Sequence, residues 1–494
     1  MTSTTIPAPR TGTSGAPGAP GGPVAGGAAA RRWWGLIAAL TGVFMPILDF
    51  FIVNVAIPSI QSGLGASSGQ TELVVAGYAV AYAALVVTGG RLGDRLGRRR
   101  AFELGMAGFT VASLLCALAP DASALVVARG VQGIAAALLF PQVLALVQAL
   151  FAPQERARAM TYYGLAIGLA AALGALVGGA LISADLFGLS WRWCFLINVP
   201  VGLLALAAVR SLIPSLAPSA ATRLDVTGGV LLFAGLVLLI GPLTEGRALG
   251  WPTWCYPCLA GAAAILASFA RHQLRLHRAG RAPLLPPPLF AQRGFLPGLL
   301  SVFAFYAGLS SFFFILALQL QQGQGLSPVH SGLEVTSLAL GFFISSLLGR
   351  RLAERYGDRP LTVGTFVLLA AYAGAFLATA ADPRLTDRTL LALVLALAGF
   401  GQGLVLTPLL GRALAAIEPA YTGAASGTLA AVQQVGGALG VALVGIVFFH
   451  FAGATGLSPA AADSRGFQAG LVYLALTVLA TLAGLRALAR SRTA

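Results

Sequence analysis

The chain has 494 residues, 57% of them hydrophobic and only 10% charged, with a formal net charge of +15. A soluble domain of this length needs more polar surface to cover itself, so much of the perimeter calls for lipid. The basic excess does not indicate nucleic acid, because it is carried by Arg alone, without one Lys, and is sorted by position along the chain.

Residues 1–33 are rich in Gly, Pro, Ala, Ser and Thr and are expected to form a disordered cytoplasmic tail. Fourteen apolar segments follow, each near the ~20 residues that cross a ~30 Å hydrocarbon core as a helix. They are 34–60, 72–92, 101–119, 123–150, 160–183, 193–212, 225–244, 252–272, 295–320, 330–352, 361–380, 388–415, 421–451 and 467–488. The runs are continuous, without period-two alternation, which favours helices over a barrel. Trp33 and Trp34 are placed to anchor the first span at the interface.

With the N-terminus in the cytoplasm, all but six of the 31 Arg fall in or beside inner loops and tails. The exceptions are Arg192, Arg247, Arg384, Arg388 and Arg465 in outer loops, and Arg129 within span four. That is the positive-inside bias of a multi-pass protein of the cytoplasmic (inner) membrane with both termini inside. Anionic lipid is a secondary attraction for the same charges.

The loop Gly89–Arg99 (GGRLGDRLGRR) recurs 260 positions later as Gly349–Arg359 (GRRLAERYGDR), with Asp94 and Glu354 keeping an acid at one point. The chain therefore consists of two related halves, an architecture characteristic of secondary transporters. Spans one to six (34–212) and nine to fourteen (295–488) become six-helix bundles, and 225–272 is an inserted helix pair. Residues 273–294 are the cytoplasmic connector, whose Pro-rich centre is expected to be extended and semi-rigid.

Several strings, in order, carry a specific resemblance. They are Leu48 to Pro58 in span one, the loop Gly90–Arg99, Arg129-Gly130-Val131-Gln132-Gly133 in span four, and Trp191-Arg192-Trp193 through Asn198-Val199-Pro200-Val201-Gly202. Leu224-Asp225 with Gly228 follows, and then Gly423–Gly427 with Gln433, Gly436 and Gly437. Over residues 34–488 the chain resembles the fourteen-spanner drug:proton antiporters of the major facilitator superfamily. The resemblance implies a proton-coupled exporter of lipophilic, in some cases cationic, drugs, driven by proton-motive force without a cofactor. It departs in span five, where Gly174-Ala175-Leu176-Val177-Gly178-Gly179 lacks the Pro that the antiporter motif carries after a Gly.

Asp49 lies fifteen residues beyond Trp34, ~22 Å along a helix, in the outer half of the core, and Arg129 lies at similar depth in span four. An ionisable residue there is costly and marks a functional site, with protein or water around it instead of lipid. The pair is the candidate for proton coupling; a static ion pair joining spans one and four is the alternative. Glu334 is a candidate second proton or substrate site, with Ser337, Gly341 and Ser345 on its helical face. Snorkelling to the interface is its simpler explanation.

Gly90, Asp94, Arg95, Gly97 and Arg98, with Glu354, Arg355 and Gly357 in the second copy, read as conformational gates. Their glycines allow tight turns and close helix approach. Gly174, Gly178, Gly179, Gly427 and Gly436 are expected where the bundles meet, as small residues that let helices approach. Aromatics of span nine (Phe303, Phe305, Tyr306, Phe312, Phe313, Phe314) and Tyr162 and Tyr163 suit a lipophilic substrate, but equally suit lipid.

No spacing of the four His or four Cys suggests metal ligation or a nucleophile–base pair, so an enzyme is not expected. Cys255-x-x-Cys258 reads as two neighbouring residues without a redox context. The expected partners are a small lipophilic molecule, protons and the bilayer; nothing in the sequence points to a periplasmic adaptor. The alternative on the same fold is a dedicated exporter of one endogenous metabolite or antibiotic.

Overall fold

The computed structural model describes residues 26–214, 224–292, 294–357, 359–383, 387–414, 417, 422–453 and 458–493, and their regular structure is entirely helical. The first half comprises α1 (Gly26–Leu64), α2 (Ser68–Leu96), α3 (Arg98–Ala117), α4 (Ala122–Leu150), α5 (Pro153–Ala184), α6 (Trp193–Leu196) and α7 (Asn198–Leu212). The inserted pair is α8 (Val226–Ala248) and α9 (Cys255–Arg278), followed by the short α10 (Pro287–Ala291). The second half comprises α11 (Phe295–Leu318), α12 (Pro328–Tyr356), α13 (Arg359–Ala381), α14 (Arg388–Leu414), α15 (Thr422–Ala452) and α16 (Pro459–Thr493).

Local chemistry sets several boundaries. Ser67 accepts from the Gln70 amide while the Gln70 side chain accepts from the Ser67 N–H, both at 3.0 Å, and this capping box opens α2. Asp121 caps α4 through the Ala124 N–H at 2.8 Å. Gly97, at φ +85°, turns α2 into α3, a backbone that side chains resist. Span six is interrupted after Leu196, four residues before Pro200, which has no N–H to return to that carbonyl.

Three boundaries differ from expectation. Helix α1 begins at Gly26, so residues 26–33 of the expected tail are helical; Trp33 packs on Phe151 at 4.8 Å between ring centroids, whereas Trp34 is 61% exposed. The connector is less extended than its prolines suggested: α9 runs on to Arg278 and α10 occupies Pro287–Ala291. Thirteen of the described helices are long and apolar enough to cross a membrane, not fourteen. The exception is α9, whose last two turns carry Arg271, His272, Arg275, His277 and Arg278. It nonetheless lies antiparallel along α8: a methyl on Gly235 would stand 2.6 Å from Leu266 Cδ2, and one on Gly246 2.8 Å from Cys255 Sγ.

The two halves repeat in packing as well as in sequence. In the first, a methyl on Gly133 of α4 would stand 2.3 Å from the Tyr78 carbonyl oxygen of α2. In the second, Gly399 of α14 meets the Leu338 carbonyl oxygen of α12 at 1.9 Å by the same measure.

The bundles meet chiefly through α2 with α15 and α5 with α12. At the outer ends they are joined. Phe51 packs edge-on against Phe313 at 4.9 Å, and Gly179 lies against the Pro328 carbonyl. A single π-turn at Gln319–Gly323, ending α11, brings Gln321 Nε2 to the Val55 carbonyl (2.8 Å) and Gln322 Nε2 to Gln61 Oε1 (3.0 Å). Nearer the cytoplasm, Gly164 and Gly168 of α5 and Gly349 of α12 face open space. Helix α8 leans on the α2–α15 seam through Leu236 and Ile240, packed with Ala76, Val80 and Ala438.

Candidate proton-coupling centre

Asp49 and Arg129 are brought together inside the first bundle. Arg129 Nη1 donates to Asp49 Oδ2 at 2.5 Å, and the two side chains are 1% and 0% exposed. Four helices complete the shell. Gln132 Nε2, one turn from Arg129 on α4, donates to Asp49 Oδ1 (3.0 Å) and to Ser113 Oγ of α3 (2.8 Å). Asn198 Nδ2, just beyond the break in span six, also donates to Asp49 Oδ1 at 3.0 Å. The guanidinium is spread further: Nε donates to the Val74 carbonyl (3.0 Å), Nη1 to Gln132 Oε1 (2.5 Å), and Cζ lies 4.4 Å from the centroid of the Tyr78 ring.

Burying both charges is expensive, and their attraction offsets that cost only where geometry is good and other hydrogen bonds are made. Here the carboxylate accepts from three side chains. The arrangement can hold an ionised pair or, when Asp49 takes a proton, keep Arg129 bound by Gln132, Val74 and Tyr78.

The second bundle has no such centre among its described residues. Counting back from the matched Gly133 and Gly399, Leu395 stands where Arg129 does and Ala398 where Gln132 does. Both line a small gap with Phe312, Tyr372 and Phe467.

Glu334 is not part of the centre. It lies partly buried near the outer end of α12, with His330 and Arg388 as its charged neighbours. Its helical face is a packing surface: a methyl on Gly341 would stand 2.0 Å from the Ala396 carbonyl, and one on Gly403 1.9 Å from Ser345 Oγ.

The first loop copy is tightly held. Arg98 pairs with Asp94 and reaches the Gly90 carbonyl (3.3 Å) and Gln142 Oε1 (3.5 Å), while Arg95 is exposed. In the second copy Gly357 turns the chain at φ +62° and Arg355 is exposed over the Tyr356 ring. The side chain of Glu354 lies outside the described residues.

The five glycines divide. Gly179 and Gly427 do lie between bundles, the latter against Val87 of α2. Gly174 and Gly178 instead face Phe51 and Ile52 of α1, and Gly436 faces the Phe303 carbonyl of α11, so these three pack helices within one bundle. The spacing gives small faces but does not say which neighbour fills them.

Sequence reasoning passed over Ser113, Gln132 and Asn198 as members of the centre, although Gln132 and Asn198 sit in the strings that carried the resemblance. It also missed Glu72 of α2, fully buried with its carboxyl against Gly445 of α15; a charge at the lip of a span reads as an interface residue.

Paired helical bundles with a charge cluster buried in one of them define a polytopic membrane transporter. The profile of the Major Facilitator Superfamily matches residues 39–441, and the chain belongs to that family. It is 40% identical over 427 residues to a probable actinorhodin transporter of Streptomyces coelicolor, covering 86% of this chain and 74% of that protein. It is likewise 40% identical over 422 residues to the puromycin resistance protein pur8 of Streptomyces alboniger, covering 84% and 82%. The fold matches that of a bacterial homologue of the lysosomal transporter Spinster in an inward-facing, occupied conformation, with a TM-score of 0.69, 17% identity, and 93% and 98% of the two chains covered.

Proposed function

We propose that this protein exports lipophilic compounds across the cytoplasmic membrane in exchange for protons, by alternating access between its two bundles. The observation that carries the reading is the Asp49–Arg129 pair, buried in one bundle and matched by Leu395 in the other. Asp49 takes the proton when the outer side is open and releases it inward. On protonation Arg129 loses its counter-charge, and the bonds joining α1, α3, α4 and α7 rearrange. The outer contacts of Phe51 with Phe313 and Gly179 with Pro328 part in the opposite state.

Magnitudes limit the stoichiometry. A charge moved through 100 mV contributes ~2.3 kcal/mol, and one pH unit ~1.4 kcal/mol. Exchange of one proton for a neutral compound uses both; exchange for a monovalent cation uses only the pH term. Expelling a dication electroneutrally would need a second proton, and Glu334 lies outside the centre. One titrating carboxyl therefore suits neutral or singly charged substrates.

A dedicated exporter of one antibiotic is the second reading, supported by two relatives at 40% identity that are each named for a single compound. Proteoliposomes with an imposed pH gradient test the first reading: wild type should accumulate compounds from a lipophilic panel, and Asp49→Asn should not. Accumulation of one compound alone selects the second reading. Gradient-independent uptake by both forms removes proton coupling.

A further inference from the structure

The inserted pair ends on the cytoplasmic side in a hydrogen-bonded chain that the transport centre does not use. Asp225, 7% exposed, caps α8 by accepting the Gly228 N–H at 2.8 Å. The same carboxylate binds α9 twice, through His272 Nε2 at 2.8 Å and Gln273 Nε2 at 2.7 Å. Gly228 has to be glycine here, since a methyl would stand 2.2 Å from Asp225 Oδ2.

Gln273, itself 4% exposed, passes the contact on: its Oε1 accepts the Leu285 N–H of the connector at 3.1 Å. The connector is held from its other side by the first gating loop. Arg91 of α2 donates through Nη1 to the Ala282 carbonyl (3.0 Å) and through Nη2 to the Pro283 carbonyl (2.7 Å). Its counterpart in the second copy, Arg351, is exposed.

We propose that Arg91, Gln273 and Asp225 form a brace that fixes the interbundle connector to the cytoplasmic end of α2, so that the inserted pair transmits rocking between the bundles. This rests on the alternating-access reading above. Arg91 is thereby a positioning residue, acting through the connector without touching substrate or the proton site. Two adjacent carbonyls are met by the two arms of one guanidinium, a geometry that a lysine ammonium does not reproduce. A purely topogenic Arg91, by contrast, is replaceable by any cation.

The variants are Arg91→Lys, which keeps the charge, and Gln273→Leu, tested in the full-length protein. Each should lower the maximal exchange rate in proteoliposomes about tenfold at unchanged KM. The double variant should be no slower than the worse single one, since both break the same chain. Independently of transport, trypsin should cut the exposed Arg281–Ala282 bond several-fold faster in both purified variants. Wild-type rate with wild-type protection in Arg91→Lys overturns the brace, as do losses that multiply in the double variant. Slow transport with the bond still protected overturns it too. If wild type exchanges no substrate for protons, the functional reading fails while the cleavage rates still decide the brace.

Discussion

Asn198 Nδ2 and Ser113 Oγ lie 3.3 Å apart, and each also reaches the pair of charges, Asn198 directly and Ser113 through Gln132. The candidate centre is thus a closed polar knot in which α4 and α7 hold Asp49 directly and α3 holds it through Gln132 and Asn198. Its members should respond to substitution as a unit.

Removing Asp49 while keeping its shape separates function from folding. Asp49→Asn should insert and fold but lose gradient-driven transport. Both Asp49→Asn and Asp49→Leu leave Arg129 without a counter-charge, but Asn keeps an oxygen that accepts a hydrogen bond. Leu strips the acceptor from Arg129, Gln132 and Asn198 together. Each buried donor left unsatisfied costs about 1–3 kcal/mol, so Asp49→Leu should lower the apparent Tm in detergent below that of Asp49→Asn. Thermal unfolding of the two variants side by side checks the ordering.

Asn198 contributes a charge-assisted hydrogen bond. Its replacement by Leu should destabilise the protein by about 1.5–3 kcal/mol. If the knot acts as a unit, the effect of Gln132→Leu added to Asn198→Leu should be less than the two separately. A double-mutant cycle on unfolding midpoints measures the coupling.

The glycine contacts predict which substitutions change conformation and which change nothing. Gly179→Ala places a methyl 2.4 Å from the Pro328 carbonyl, so it should keep the outer ends of α5 and α12 apart. Gly168→Ala, which meets open space, is the control. Spin labels on the outer ends of α5 and α12 should report a longer distance for Gly179→Ala alone.

Asp225 supplies a pH dependence outside the membrane. Burial pushes its carboxyl up, but the bonds from Gln273, His272 and the Gly228 N–H outweigh that and hold it below the ordinary range. The stability it contributes is therefore complete above about pH 4 and is lost as pH falls through the lowered value. Hydrogen exchange at the Leu285 amide should be slow and level at higher pH once corrected for intrinsic rates, then rise in acid. In Asp225→Asn that acid step should be absent.

Glu334 is expected to be dispensable for the cycle. With His330 and Arg388 beside it at the outer surface, and its helical face spent on α14, Glu334→Gln should transport neutral and singly charged compounds at the wild-type rate. A selective loss for dications would instead give it the role of a second acid.

The amino-acid sequence by itself determined the membrane class, the doubled architecture, the inside–outside orientation and the two charges of the centre. Each follows from a strong one-dimensional term: run length against bilayer thickness, the repeat of the Gly89–Arg99 loop, the sorting of Arg, and the cost of an ion in hydrocarbon. Tertiary structure decided which neighbour each small or polar face meets. Gly178 and Gly179 are neighbours in one glycine-rich string, yet the first packs on α1 and the second across the seam, because adjacent positions on a helix point about 100° apart. Asn198 meets Asp49 across 149 residues of chain, and Arg91 finds the connector 191 residues away only because the inserted pair brings it back. Contacts between residues so far apart depend on how helices are placed, and no periodicity within a span encodes that placement.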